Sequence, residues 1–244
     1  DVNTTSGYYG SYSSDPVDIT AVGPTLYFAA YDGSSGYEVW KSDGSNAGTE
    51  LVKDIRPGGN SAFSSSGPSS GFVAQGSTVF FDANDGTNGV ELWKTDGTTL
   101  GTQLVKNIRP GSNYSGGLSS SPADITVLGS SVFFSATDGS NGHELWKSDG
   151  TTVGTQLVKD INPGFYSSMY GYYSTPGLAV VAGKLHFAAD DGTTGSELWT
   201  SDGTTAGTTL TKDINTRNRG SNPYQLTDLS GTLFFNANGD TSSF

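Results

Sequence analysis

ELWKSDGT, residues 144–151, stands near the middle of this sequence, and three near-copies of it stand elsewhere. They are EVWKSDGS at 38–45, ELWKTDGT at 91–98 and ELWTSDGT at 197–204. The copies begin at residues 38, 91, 144 and 197, so successive copies are 53 residues apart. A constant step of this size is typical of tandem repeats, in which each unit buries its apolar face against its neighbours. The sequence therefore predicts a repeat architecture.

Each period contains four short segments in which apolar and polar residues alternate. In the third period they are Asp124–Leu128, Ser131–Ala136, His143–Lys147 and Gln156–Ile161. Alternation of this kind is the pattern of β-strands, and the Gly, Asp, Asn and Ser clusters between the segments are typical of turns. We therefore predict one four-stranded antiparallel meander per period.

Four strands in about fifty residues, without a helix, match a propeller blade better than other repeat units. An open β-solenoid is the alternative architecture. We predict an all-β fold, a β-propeller of four-stranded blades, forming a single domain over residues 1–244. The repeats cover 17–69, 70–122, 123–175 and 176–223, and a partial blade combines 224–244 with 1–16.

The partial blade predicts a five-bladed ring in which one blade is shared between the two termini. Joining terminal strands in one sheet would remove an open sheet edge. The sequence holds no fifth copy of the octapeptide, so that blade lacks its third strand. Two interpretations remain: the fifth blade is thin, or the sequence is an excerpt of a longer protein.

The four octapeptides resemble the ELWxxDGT repeat family, whose members occur in tandem in secreted and surface proteins of bacteria. The copies depart from that pattern at Val39 and Ser45, which replace Leu and Thr. The resemblance implies a secreted or cell-surface location. It implies no particular activity, because the family is named for its repeat.

Composition restricts the classes of partner. The chain has 24 acidic and 12 basic residues and a net charge of −12, which disfavours binding to nucleic acid. The sequence contains no cysteine, which excludes disulfides and thiolate metal sites. No apolar run is long enough to span a membrane, so we expect no membrane insertion; a signal peptide, if one exists, has been removed or lies outside this sequence.

The recurring tryptophans and glutamates are interpreted as structural residues. A large aromatic in the middle of a strand suits packing between blades, and ligand stacking is the alternative. Each Glu lies two residues before a Trp and so shares its face of the sheet, where a buried carboxylate needs a partner. The recurring Lys53, Lys106, Lys159 and Lys212, or backbone amides of the next loop, could supply it. The structural residues are Trp40, Trp93, Trp146, Trp199, Glu38, Glu91, Glu144 and Glu197.

A second set of acidic residues begins the recurring Asp-Gly pairs between the second and third strands. Turn formation explains most of them without a ligand. Loops rich in carboxylate and carbonyl oxygen nevertheless suit a hard cation, so calcium is the candidate ion, although no cofactor is required. The candidate metal-ligating residues are Asp32, Asp85, Asp138 and Asp191.

The segments that join successive blades are long, unlike one another and rich in tyrosine. In a propeller they share one face with the Asp-Gly loops, and aromatic rings beside carboxylates suit sugars. The alternative is that the tyrosines pack the loops onto the scaffold or contact a neighbouring subunit. The candidate ligand-binding residues are Tyr8, Tyr9, Tyr12, Tyr114, Tyr166, Tyr170, Tyr172 and Tyr173.

Catalytic motifs are scarce. His143 and His186 belong to no recognisable catalytic triad or metal-ligand pattern. A glycosidase pair of carboxylates stays open, because the repeats offer many pairs and nothing singles one out. We therefore predict an extracellular, lectin-like binding or adhesion module and no enzyme, with a glycan or a surface protein as partner. The alternative is a structural subunit of a surface layer, filament, homo-oligomer or larger complex.

Overall fold

The computed structural model describes residues 2–3, 6–7, 10–11, 13–64, 66–114, 116–169, 177–217 and 219–239. Within these ranges the regular secondary structure is entirely β-strand. No helix in the described ranges is long and apolar enough to cross a membrane.

The first compact unit, Asp1–Ser121, contains two four-stranded antiparallel meanders, the first and second blades. Two-stranded ladders accompany them. In chain order the strands are β1 (Ser6–Gly7), β2 (Gly10–Ser11), β3 (Val17–Val22), β4 (Thr25–Tyr31), β5 (Tyr37–Ser42), β6 (Glu50–Lys53), β7 (Val73–Gln75), β8 (Thr78–Asn84), β9 (Val90–Thr95), β10 (Gln103–Lys106), β11 (Ser112–Asn113) and β12 (Gly116–Gly117).

The second compact unit, Pro122–Phe244, contains the third and fourth blades and one further hairpin. Its strands are β13 (Ala123–Leu128), β14 (Ser131–Ala136), β15 (Glu144–Ser148), β16 (Gln156–Lys159), β17 (Ala179–Val181), β18 (Lys184–Asp190), β19 (Ser196–Ser201), β20 (Thr209–Lys212), β21 (Tyr224–Leu229) and β22 (Thr232–Asn236).

These repeated sheets confirm the predicted all-β fold class and its four-stranded propeller blades. In the third blade the predicted and observed strands agree within two residues at each end, as β13 to β16 show. The blade number and the shared terminal blade stay predictions.

Both faces of the second blade are covered at its second strand, which explains why apolar residues occupy consecutive positions there. Val79, Phe80 and Phe81 are consecutive in β8 and therefore point to alternate faces, yet each is at most 1% exposed. In the first unit Phe63 and Phe72 pack edge-on, with ring centroids 6.0 Å apart. Burial on both faces is what packing against neighbouring layers produces.

The end of the octapeptide closes the third hairpin of its own blade. In the second blade, the Asp96 carboxylate accepts hydrogen bonds from the backbone N–H (2.9 Å) and the hydroxyl (2.7 Å) of Thr98. The same hydroxyl accepts from the N–H of Gly101, and the hydroxyls of Thr95 and Thr102 lie 2.7 Å apart. Side chains therefore satisfy the loop's polar groups locally, which explains the recurrence of Asp and Thr.

Two glycines in this loop have separate physical reasons. Gly97 has a φ of 86°, a conformation that L side chains rarely adopt. A Cβ on Gly101 would overlap the Asp96 carboxylate, which would have to move away from its hydrogen bonds to Thr98. The pattern Asp-Gly-Thr with a Gly three residues further on therefore suits the closed form of this loop.

Lysines of the octapeptide and of the fourth strand also bind each blade to the next within a unit. In the first unit, Lys41 Nζ donates to the carbonyl of Gly97 at 2.8 Å, and Lys53 Nζ donates to the carbonyl of Thr102 at 2.8 Å. The same Lys53 ammonium lies 5.8 Å from the centre of the Trp93 ring. In the second unit the equivalent contacts join Lys147 to Gly203, Lys159 to Thr208 and Lys159 to the Trp199 ring.

Trp93 and Trp199 lie where these contacts form. Trp93, Trp146 and Trp199 are 5–6% exposed. Trp40 is half-buried and lines a groove of about 320 Å³ together with Val2. The tryptophans of the second and fourth blades thus serve as interblade packing surfaces that carry a lysine above the ring.

Candidate functional site

A buried glutamate in each blade holds both ends of the loop that leads to the next blade. Glu144 is fully buried, and one carboxylate oxygen accepts the N–H of Ile161 at 2.9 Å and the hydroxyl of Ser168 at 2.5 Å. Its other oxygen accepts the N–H of Ser168 at 3.0 Å. One side chain therefore anchors the start and the end of the loop 161–168.

The other blades use the same arrangement. Backbone N–H groups are donors in every blade, and they are one of the two kinds of partner that the sequence suggests. Lys53 and Lys159 belong to the other kind, and they donate to the next blade instead. Glu91 accepts from Ile108, Arg109 and Ser120; Glu197 accepts from Ile214, Asn215 and Ser221; Glu38 accepts from Ile55, Arg56 and Ala62.

The first blade lacks one donor that the other three have. Ser120, Ser168 and Ser221 each donate a hydroxyl to their glutamate at 2.5–2.6 Å, whereas Ala62 occupies this place in the first blade. Burial raises the pKa of Glu38 to about 8 and that of Glu144 to about 7, and the hydrogen bonds oppose the rise. Glu38, which lacks the hydroxyl, has the higher pKa of the two.

The candidate metal-ligating aspartates close their own loops. One oxygen of Asp138 accepts the N–H groups of Ser140 and Asn141, both at 2.8 Å. Partial burial alone would raise the pKa of Asp138, but these hydrogen bonds outweigh it and the pKa is lowered. Asp32, Asp85 and Asp191 accept equivalent pairs of N–H groups and have lowered pKa values for the same reason.

Calcium binding at these aspartates stays a prediction. Each aspartate already uses an oxygen to close its turn. In the part of the chain that the structure describes, no three His, Asp or Glu side chains are grouped so that they could hold a metal ion.

The Asp-Gly loop and the interblade loop meet at one end of the blade. In the third blade, Gly142 N donates to the carbonyl of Gly164 at 3.2 Å, and His143 N donates to the Ser167 hydroxyl at 2.8 Å. A Cβ on Gly142 would overlap the backbone of Tyr166. We call this surface, formed by residues 137–143 and 161–169, the loop face.

The loop face presents two exposed aromatic side chains. Tyr166 is 74% exposed, and its neighbour Phe165 is 84% exposed. The sequence analysis considered only the tyrosines of this loop and therefore did not name Phe165 as a candidate ligand-binding residue. Its position beside Tyr166 was a usable signal. In the first unit, Tyr114 projects fully into solvent from the turn between β11 and β12.

The remaining candidate tyrosines lie outside the described residues, so their placement is not part of the site. They are Tyr8, Tyr9, Tyr12, Tyr170, Tyr172 and Tyr173.

Asp82 is a buried carboxylate that sequence reasoning also missed. It lies in β8, is 7% exposed, and accepts the N–H (2.7 Å) and the hydroxyl (3.0 Å) of Ser69. Burial raises its pKa to about 6. Comparison of the repeats distinguishes Asp82, because the equivalent positions in the other repeats hold Ala29, Ser135 and Ala188.

No protein-family model matches this sequence, and a comparison with curated proteins found no match. Among solved structures, the computationally designed Ika8 protein is 18% identical with a TM-score of 0.47, and the match covers 95% of this chain and 57% of that one. The Bacteroides ovatus xyloglucan PUL protein GH43B is 15% identical with a TM-score of 0.39, and the match covers 89% of this chain and 44% of that one.

An endo-arabinase from Bacteroides thetaiotaomicron is also similar, at 16% identity and a TM-score of 0.35, with 95% of this chain and 90% of that chain covered. The chain thus spans 57% of the designed protein and 44% of the Bacteroides ovatus protein. Similarity this low transfers neither a site nor an activity to the present chain.

Proposed function

We propose that this protein is an extracellular binding and adhesion module, lectin-like, that holds carbohydrate against its loop face. The observation that carries the proposal is the pair of exposed aromatic side chains, Phe165 and Tyr166, on a loop whose two ends are held by buried Glu144. Exposed aromatic rings on a loop with anchored ends resemble the preorganised surfaces that bind ligands.

The chemistry of the surrounding groups supports a sugar as ligand. The C–H faces of a sugar stack on aromatic rings, and its hydroxyls hydrogen-bond to amide, hydroxyl and carboxylate groups. Ser140, Asn141 and Asp138 provide such groups on the adjoining loop. The net charge of −12 favours neutral glycans over polyanionic ones.

The test is a glycan array probed with the wild-type chain, the double variant Phe165→Ala/Tyr166→Ala and the control Val153→Ala, with and without a calcium chelator. Val153 is 83% exposed in the hairpin loop between β15 and β16, at the other end of the blade, so it matches the loss of exposed apolar surface. We expect glycan signals that the double variant loses and the control keeps. Signals that survive in the double variant would refute the proposed site, and loss on chelation would support calcium.

The structural alternative makes a different prediction in the same samples. A subunit of a surface layer or filament should form a defined assembly in analytical ultracentrifugation and give no glycan signal. If the double variant breaks that assembly, the aromatic pair is a protein contact and the carbohydrate proposal fails.

The proposed activity is binding without turnover. A glycoside hydrolase would instead release reducing sugar from polysaccharide and lose that activity when one particular carboxylate is changed. Asp82, which has no acidic counterpart in the other repeats, is the first carboxylate to replace in that assay. Sugar release that Asp82→Asn abolishes would overturn the binding-only proposal.

A further inference from the structure

A polar groove of about 350 Å³ lies between the first and second blades, within the first unit. Its walls are the loops that end the two octapeptides, which supply Asp43 and Asp96, together with residues of β4 and the start of β6. This volume is at the lower end of the range of small-molecule pockets. The groove shares no residue with the loop face, so a ligand bound here is separate from the proposed carbohydrate.

A buried tyrosine hydroxyl lies at this groove. Tyr27 is 5% exposed and lines the groove. A Cβ on Gly97, which also lines it, would lie 2.5 Å from the Tyr27 hydroxyl. Among the residues that the structure describes, none is hydrogen-bonded to this hydroxyl. Buried polar groups are nearly always hydrogen-bonded, and a ligand in the groove can supply the missing partner.

Three carboxylates and one ammonium give the groove a net negative charge. Lys41 Nζ lies 3.0 Å from a carboxylate oxygen of Glu50, so these two charges are paired with each other. Asp43 and Asp96 each accept a hydroxyl and a backbone N–H from within their own loops. These hydrogen bonds lower the pKa of both aspartates, which are therefore ionised at neutral pH.

The second unit repeats the framework of this groove but lacks two of its polar groups. Its octapeptide lysine donates to a glycine carbonyl of the next blade, as Lys41 does. Phe133 replaces Tyr27, however, and Gln156 replaces Glu50. The first unit thus has an additional hydroxyl and an additional negative charge on the two strands that flank the lysine. The packing role that both units share explains neither of them.

We propose that this groove binds a small organic cation that carries primary ammonium groups. An ammonium group donates up to three hydrogen bonds, which the hydroxyl of Tyr27 and the carboxylates of Asp43 and Asp96 can accept. The excess of negative charge disfavours anions and gives a neutral molecule no electrostatic gain. The volume suits a molecule of several heavy atoms.

The probes are three four-carbon molecules of matched length, putrescine, 1,4-butanediol and succinate, titrated separately into the whole chain by calorimetry. We expect saturable binding of one putrescine per chain and no binding of the neutral or the anionic probe. The double variant Tyr27→Phe/Glu50→Gln, which installs the residues of the second unit, should weaken putrescine binding by about tenfold or more. The control Asp228→Asn removes one exposed carboxylate from the second unit and should leave binding unchanged.

The reciprocal double variant, Phe133→Tyr/Gln156→Glu, should create a second site and raise the stoichiometry to two. Urea midpoints separate a loss of binding from a loss of folding, and if the first double variant unfolds, Glu50→Gln alone, on a side chain that is 58% exposed, carries the test. Putrescine binding that survives in the Tyr27→Phe/Glu50→Gln variant, or that Asp228→Asn weakens equally, would overturn the proposal. Equal binding of butanediol or succinate, absence of putrescine binding, or a stoichiometry that stays at one in the reciprocal variant would also overturn it.

Discussion

Replacing Ala62 with serine should stabilise the protein at alkaline pH and leave its stability almost unchanged near pH 4. In the first blade Glu38 has only backbone donors, whereas Ser120, Ser168 and Ser221 add a hydroxyl in the other blades. The new hydroxyl should donate to the ionised carboxylate. It has no such charge to stabilise when the carboxyl is protonated.

The magnitude follows from the strength of the added hydrogen bond, and the pKa values agree with its direction. The pKa of Glu38 is about 8, against about 7 for Glu144, which has the hydroxyl. A hydrogen bond from a hydroxyl to a buried charge is worth roughly 1.5–3 kcal/mol, so we expect Ala62→Ser to add on the order of 1–2 kcal/mol at pH 9.

The direction of the pH dependence follows from the raised pKa of Glu38. The folded state holds the proton more tightly than the unfolded state, whose carboxyl has a pKa of 4.5. Stability from this group is therefore complete below pH 4.5 and is lost as pH rises to about 8. For the wild type the loss is on the order of 4–5 kcal/mol, and Ala62→Ser should reduce it.

Urea unfolding of the wild type and Ala62→Ser at pH 4 and pH 9 measures the difference. Ser120→Ala, which removes the hydroxyl from the second blade, is the matched control and should shift stability at pH 9 in the opposite direction. An equal effect of Ala62→Ser at both pH values, or none at pH 9, would refute the assignment of the missing donor.

Three further changes test the packing of the repeats. Gly101→Ala should destabilise the protein by about 2 kcal/mol or more, because its Cβ overlaps Asp96, whereas Gly177→Ala, in open space, should cost less than half as much; urea midpoints compare them. Lys53→Met should cost about 1–2 kcal/mol by loss of its bond to Thr102 and its contact with Trp93, and a thermal shift below 1 °C would contradict this. The side chain introduced by Asp82→Asn can still accept the hydrogen bond from Ser69. Wild-type stability falls as pH rises toward the Asp82 pKa of about 6, because the carboxyl must then ionise while buried. Asp82→Asn should therefore stabilise the fold at pH 8 by up to about 3 kcal/mol and have no stabilising effect at pH 3.

The blades could be predicted from the sequence because their causes are local. Strand alternation and turn residues recur within each period, so positions such as β14 agree with the prediction at both ends. The hairpin loop after Trp93 is also formed by local interactions, since Asp96, Thr98 and Gly101 interact within six residues.

The donors to the buried glutamates could not be predicted uniquely, because they lie at variable distances along the chain. The serine that reaches Glu144 follows it by 24 residues, and the one that reaches Glu91 follows it by 29. Because the loops differ in length, no constant spacing from the glutamate identifies the donor serine. The exposure of Phe165 and the burial of Asp82 depend in the same way on tertiary packing, although both residues break the repeat pattern and so were visible as departures.

The variable spacing to those serines has a practical consequence for protein engineering. A single carboxylate accepts both ends of each connection, and the second and third blades show that it accommodates connections that differ by five residues, 29 against 24. Random libraries inserted between the two anchor points would therefore leave the sheets undisturbed. The repeat is suited to serve as a display framework whose connections can be exchanged one at a time.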